Sequence, residues 1–298
     1  MSQPDFLPCL LAAQGRGGAN AMYDTTETKT ELTLETLRTL EPLPLQTAMY
    51  FSQALNREQP YAYFAPAEWD GALTPDSPRY PLLVMLHGIN SNHSHWDTYT
   101  RIARYAAAYK IVIAFPDGGN GWYTNAVNNG PRYEDDLIED FIPHLQKTLP
   151  IANPGKQWGI GGLSMGGYGA VKIALKHWKL FSVAAGHSGA YEKPNVPEVH
   201  PVFGDPQVDG AFRKAENPIA LAELALCRWP AERPYLYLDC GADDFLIETN
   251  RRFKDHLNFV GYPHTYHEMP GQHTWPYWDR AFRTVLPALS NRLNAERA

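Results

Sequence analysis

Ser164 lies within GGLSMGGYGA (161–170), where glycines crowd around a single hydroxyl. A glycine in an ordered element costs about 0.5–1 kcal/mol relative to alanine, so something in this stretch requires the missing side chains. A serine can attack an acyl carbon if a base takes its proton and a third group orients that base. The flanks suit such a nucleophile: GIGGL before Ser164 reads as a strand, and MGGYGAVKIALKHW after it reads as a helix. In a sharp strand-to-helix turn the serine is held in a strained conformation. The two elements approach so closely that Gly162 and Gly166 cannot carry bulk. The turn also aims the helix N-terminus at the hydroxyl, where amides and dipole favour negative charge. A phosphate loop is excluded because no Gly-Lys-Ser/Thr follows the glycines. A second serine, Ser188 in GHSGA (186–190), precedes YEKPNVP, which cannot start a helix, and is read as part of a loop near the site.

Seven of the 11 histidines follow Ser164, and in this arrangement the order is serine, acid, histidine. His177 and His256 fall in helical patterns, His264 and His267 before or within a short strand, and His200 in a proline-rich stretch. His273 follows a strand and a turn in EMPGQHTW, which places it in a loop at the sheet edge that carries Ser164. For the acid, CGADDF after the strand PYLYLD offers Asp243 and Asp244, which the residues alone do not separate; Asp239, inside the strand, reads as structural. The oxyanion of a tetrahedral intermediate needs backbone donors. The Met165 amide is one, and the loop after LLVMLHG supplies the other, most simply the amide of Ile89. His87, His93 and His95 on that loop have no carboxylate in register, so they are expected to be solvated rather than metal ligands. No cofactor is called for. Trp96, Trp122, Tyr123 and Trp275 lie near these loops and are expected to wall a substrate pocket.

The elements that must position these groups start at Tyr80. PLLVMLHG, KIVIAFPDGG, QWGIGGLS, FSVAAGHSG, PYLYLDCGADD and TYHEMPGQH are short unbroken apolar runs, as in a parallel sheet covered on both faces. Helical stretches alternate with them: HWDTYTRIARYAAAY, EDDLIEDFIPHLQKTL, MGGYGAVKIALKHW, LIETNRRFKDHLNFV and the terminal WPYWDRAFRTVLPALSNRLNAER. The expected class is α/β, a mostly parallel doubly wound sheet with helices on both faces. Upstream, LTLETL (32–37), LQTAMYFSQAL (45–55) and PYAYFAP (60–66) read as edge strands and hairpins. Residues 1–30 read as a loose tail and 31–298 as one domain. Five prolines between 194 and 218 mark an excursion, about 190–233, over the active-site end.

The 298 residues carry a net charge of −6, 44% hydrophobic and 19% charged residues, the composition of an ordinary globular protein. No basic stripe invites nucleic acid, and no apolar run nears the roughly 20 residues of a membrane span. Cys9, Cys227 and Cys240 lack CxxC spacing, so neither a disulfide framework nor a zinc site is expected. The N-terminus lacks the positive region of a signal peptide. A reducing cytoplasm is the expected compartment.

SQALNREQPYAYFAP, LLVMLHG, FPDGGNGWYTN, GGLSMGGYGA, FGDP, DCGADDFLIETNRRF and EMPGQHTWPYW together resemble the putative esterase family over roughly residues 48–285. That family includes esterase D (S-formylglutathione hydrolase), tributyrin esterases, feruloyl and acetylxylan esterases and the antigen 85 mycolyltransferases, all on the α/β-hydrolase fold. The resemblance implies Ser164 as nucleophile, Asp244 as acid, His273 as base, and Ile89 and Met165 as oxyanion donors. It is greatest to tributyrin-type esterases, which implies hydrolysis of small esters with short acyl chains through an acyl-enzyme. It further implies self-association into a homo-oligomer. The alternatives are a thioesterase like S-formylglutathione hydrolase, a feruloyl or acetyl esterase on plant-polysaccharide esters, and an acyltransferase using the same triad. A non-enzymatic binding module is disfavoured because all three triad positions hold competent residues.

Overall fold

The computed structural model describes residues 32–228 and 231–298. The expected tail over 1–30 lies outside them. Eight strands form one sheet: β1 (Gln46–Ser52), β2 (Arg57–Phe64), β3 (Leu82–Leu86), β4 (Val112–Pro116), β5 (Gly155–Leu163), β6 (Phe181–His187), β7 (Tyr235–Gly241) and β8 (His264–Met269). Their spatial order is β1-β2-β4-β3-β5-β6-β7-β8. β1 pairs antiparallel with β2, and β2 antiparallel with β4; all other pairs are parallel. β1 alternates toward one buried face, whereas β3 and β4 are buried throughout, as helix cover on both sides requires.

The helices are α1 (Leu34–Thr39), α2 (His95–Tyr99), α3 (Ile102–Ala106), α4 (Tyr133–Asp135), α5 (Ile142–Thr148), α6 (Met165–Lys176), α7 (Gly210–Ala215), α8 (Pro218–Arg228), α9 (Ile247–Val260) and α10 (Trp275–Arg292). They divide the core in two. Leu82, Val84 and Leu86 point into a cluster with residues of α5, α6, α8 and α9. Leu83 and Met85 point into the other, with α1, α2, α3 and α10. This is the doubly wound architecture expected from the alternating runs.

Three local expectations are corrected. LTLETL contributes a helix rather than a strand, because the Thr33 hydroxyl accepts the Thr36 amide (3.1 Å) and caps α1. The stretch at 95–109 is broken into α2 and α3. Asp279 of α10 accepts the Arg101 amide (2.8 Å), the Arg101 guanidinium (2.8 Å) and the Tyr105 hydroxyl (2.8 Å), and so holds the break open. Between α4 and α5 the chain widens into a π-helical segment, Asp136–Phe141, just before Pro143, which has no amide to donate to a normal turn.

Cys227 is disulfide-bonded and Cys240 is a buried free thiol. The disulfide departs from the expected absence of bridges, because spacing along a chain does not reveal which cysteines meet in space. Among the described residues no helix is long and apolar enough to cross a membrane.

Candidate active site

Each candidate residue leaves the sheet at the carboxyl end of a different strand. Ser164 follows β5, Ile89 lies after β3, Asp244 after β7 and His273 after β8. β3 and β5 are neighbours, with Leu86 opposite Gly162. The chain runs from β3 outward to β4 and then crosses back to β5, so the strand order reverses there. Open α/β sheets hold their ligands in that crevice.

Ser164 adopts φ 55° and ψ −115°, a rare conformation for any residue other than glycine. Its amide donates to the His187 carbonyl (2.9 Å) and its carbonyl accepts the Tyr168 amide (3.0 Å), which pins the turn from β6 and from α6. A Cβ on Gly162 would stand 2.5 Å from the Gly166 carbonyl oxygen, and one on Gly166 would stand 2.6 Å from that of His87. Backbone atoms cannot yield to such contacts, so close approach is what demands these glycines.

His273 places Nε2 2.9 Å from Ser164 Oγ, and Nδ1 2.8 Å and 3.0 Å from the two carboxylate oxygens of Asp244. Asp244 is buried and Asp243 exposed, so of the adjacent pair it is Asp244 that faces the imidazole. Burial alone would raise the Asp244 pKa, but the hydrogen bonds from His273 and from the Leu246 amide (2.8 Å) outweigh it and hold the carboxyl below its ordinary value. An anionic Asp244 favours the proton on Nδ1, which leaves the Nε2 lone pair directed at the hydroxyl.

Met165 opens α6, so its amide has no partner in the helical ladder. The Ile89 loop is held by its neighbours. Buried His87 donates from Nδ1 to the Gly88 carbonyl (2.8 Å) and accepts the Gly118 amide at Nε2 (2.9 Å), while the Asn90 amide donates to Asn120 Oδ1 (2.8 Å). These bonds tie the loops after β3 and β4 together. His87 is therefore not the solvated loop histidine expected from the sequence. His93 lies 3.2 Å from Asp117, and His95 bonds Ser91 (2.9 Å) and Asn92 (3.1 Å). Asp117 reaches this loop from the end of β4, a proximity that only strand pairing creates. Among the described residues no group of three or more His, Cys, Asp or Glu could hold a metal ion.

The aromatic candidates differ in exposure. Trp96 is fully buried and donates to the Leu86 carbonyl (3.2 Å); Tyr123 is also buried and donates to that of His87 (3.1 Å). Both support the catalytic loops from behind. Trp122 packs against Tyr168 (5.8 Å), Phe203 (6.0 Å) and His200 (6.0 Å), joining its loop to the excursion. Trp275 is half-buried, 5.2 Å from Tyr99 and 5.3 Å from Trp278. Trp122 and Tyr123 both have positive φ, 56° and 50°. Lys172, buried in α6, holds this pair: its ammonium donates to the Tyr123 carbonyl (2.5 Å), Thr124 Oγ1 (2.9 Å) and Glu134 (2.8 Å), and lies 2.9 Å from Glu216. Such pairing is what makes a buried charge tolerable.

Sequence reasoning missed a second buried pair beneath the site. His187 Nδ1 is 2.6 Å from Asp239, which also accepts the Tyr277 hydroxyl (2.8 Å). The two residues are opposite each other at the ends of β6 and β7. Ser188, with φ 48°, accepts the Trp278 indole (3.2 Å). The contact of Phe245 with His273, 4.5 Å between ring centres, was also missed. Nothing in the sequence announces these contacts, because each depends on register or loop course.

The sequence profile described as "Putative esterase" matches residues 52–289. The chain is 27% identical over 231 residues to an acetyl esterase of Caldicellulosiruptor saccharolyticus, covering 72% of this chain and 85% of that one. It is 28% identical over 241 residues to Esterase Rv1288 of Mycobacterium tuberculosis, covering 72% of this chain and 52% of the relative, about half its length. Among solved structures, S-formylglutathione hydrolase (FrmB) from Staphylococcus aureus superposes with a TM-score of 0.73 at 26% identity, over 85% of this chain and 100% of that one.

Proposed function

The chain belongs to the putative esterase family, and from that premise we propose that it hydrolyses short-chain acyl esters through an acyl-enzyme on Ser164, with His273 as base, Asp244 orienting it, and the Ile89 and Met165 amides as oxyanion donors. That the protein is a serine esterase follows from the family. The hydrogen-bond relay from Asp244 through His273 to Ser164 Oγ, with legs of 2.8 Å and 2.9 Å, supports the finer assignment.

In the first half-reaction Ser164 Oγ bonds to the ester carbonyl carbon while its proton passes to His273 Nε2. The carbonyl oxygen becomes an oxyanion facing the two amides. On collapse the ester C–O bond breaks, and the Nε2 proton goes to the leaving alcohol. Water then repeats the cycle on the acyl-enzyme, with His273 again taking the proton. The Trp122 loop, locked to Phe203 and His200 of the excursion, limits the acyl side to short chains. The likeness to FrmB favours a thioester as a second substrate class.

A panel of chromogenic esters of rising acyl length, with a feruloyl ester and an acyl thioester included, tests this. A broad optimum from acetyl to butyryl is expected, because each methylene that fits contributes only about 1–3 kcal/mol. Long-chain esters cleaved as fast as butyrate, below their aggregation limit, would overturn the short-pocket assignment.

A further inference from the structure

Isolated exposed hydrophobic side chains are ordinary on a protein surface. Among the described residues, however, three of the eight well-exposed large ones lie on, or pack against, the segments that carry the candidate triad and oxyanion groups. Phe245 is 76% exposed, directly follows Asp244, and lies 4.5 Å from the His273 ring. Ile89, 49% exposed, carries one of the oxyanion amides. Tyr99, 51% exposed, packs at 5.2 Å on Trp275, two residues beyond His273.

Two aromatic rings flank the His273 imidazole. Trp278, 4.9 Å away and edge-on, is buried and bonded to Ser188, so packing accounts for it. Phe245 gains no such burial, and folding alone does not explain a phenyl ring held in water at this position. The reaction geometry does. His273 Nε2 must hand its proton to the leaving oxygen, which therefore stands within hydrogen-bond reach of that nitrogen. The rest of the alcohol begins one bond further out, beside the histidine ring, on which Phe245 packs as the exposed side chain.

We infer that Phe245, with Ile89 and Tyr99 at the rim, forms a subsite for the leaving alcohol and selects esters whose alcohol portion is apolar, such as an arylmethyl or longer alkyl group. The inference rests on the serine-esterase assignment and concerns the opposite side of the scissile bond from the acyl pocket. Covering the ring with an apolar alcohol removes both surfaces from water and adds a ring–ring contact when the alcohol is aromatic. The bond made and broken is the one already described, so only acylation is affected.

Benzyl acetate and ethyl acetate test this cleanly, because both form the same acetyl-enzyme and differ only in the alcohol released. The wild type should show a higher kcat/KM for the benzyl ester. In Phe245→Ala the benzyl-to-ethyl ratio of kcat/KM should fall about tenfold, the effect of losing one apolar contact in the transition state, and Phe245→Leu should restore part of it. The pH profile of kcat/KM should keep its shape. An unchanged ratio would overturn the inference while leaving the esterase assignment intact. Equal loss on both esters with a displaced acid limb would also overturn it, because the ring would then act on His273 and not on the alcohol. A wild type inactive on all acetates would overturn the esterase assignment and the inference with it.

Discussion

At the scale of single residues, the two adjacent aspartates make the sharpest test. Only Asp244 reaches His273, while Asp243 is exposed. Asp244→Asn should lower kcat by roughly 10³- to 10⁴-fold through the wrong imidazole tautomer, whereas Asp243→Asn should change it no more than a few-fold. Steady-state kinetics on purified variants decides the matter, and the reverse order would move the acid by one residue. Ser164→Ala should retain the wild-type melting temperature and lose activity by several orders of magnitude. Substantial turnover in that folded variant would remove the serine from its role. The turn at Ser164 and the loop position of His273 were legible in the sequence because a strand-to-helix turn rich in glycine and a histidine after a strand leave local marks. The choice of Asp244 needed the course of the turn after β7, in which the Leu246 amide and the imidazole claim one carboxylate and water claims the other.

At the scale of elements, the turn between β5 and α6 is the critical junction. Gly166→Ala puts a methyl against the Leu86 and His87 carbonyls, and backbone in a central strand cannot move aside. The substitution should destabilise the protein by about 1–3 kcal/mol or more, seen as a lowered melting temperature in calorimetry, with activity falling further because the Ile89 loop follows His87. A Gly166→Ala protein of wild-type stability and activity would show that the strand and helix do not need their close approach. The elements that sequence patterning misjudged fall to two causes, short length and long-range contact. α1 was too short for two-residue and helical periods to be told apart, and the break between α2 and α3 depends on Asp279, which arrives 178 residues later in the chain. The π-helical segment before Pro143 likewise answers to long-range packing: Tyr50 of β1 bonds Asp136 within it (2.8 Å).

At the scale of the whole molecule, one buried charge network joins α4, α6 and the approach to α8. Glu134 is buried, which by itself would raise its pKa, yet Lys172, His177 and Lys176 together hold it well below the ordinary carboxylate value. A depressed folded-state pKa contributes stability that is fully present above the unfolded value and is lost as pH falls through the folded one. Asp244 is shifted in the same direction. The melting temperature should therefore fall as pH drops below about 4, near the unfolded carboxylate range. Glu134→Gln should be less stable at neutral pH and show a shallower acid dependence, checked by thermal melts across pH. A variant with the wild-type slope would show that the network is not part of acid unfolding.

By itself the sequence determined the alternation of strands and helices, the strand-to-helix turn at Ser164, the loop position of His273 and the family. Each of these is written in local spacing, since periodicity, steric demand for glycine and loop position act over a few residues. Only the tertiary structure decided which carboxylate hydrogen-bonds His273, that His87 is buried as a clamp on the Ile89 loop, that Trp96 and Tyr123 are buried and bond the Leu86 and His87 carbonyls, and that Phe245 lies exposed on the imidazole. Those contacts join residues from different strands or loops. Their proximity is created by sheet register and by packing across the crevice, and no interval along the chain encodes it.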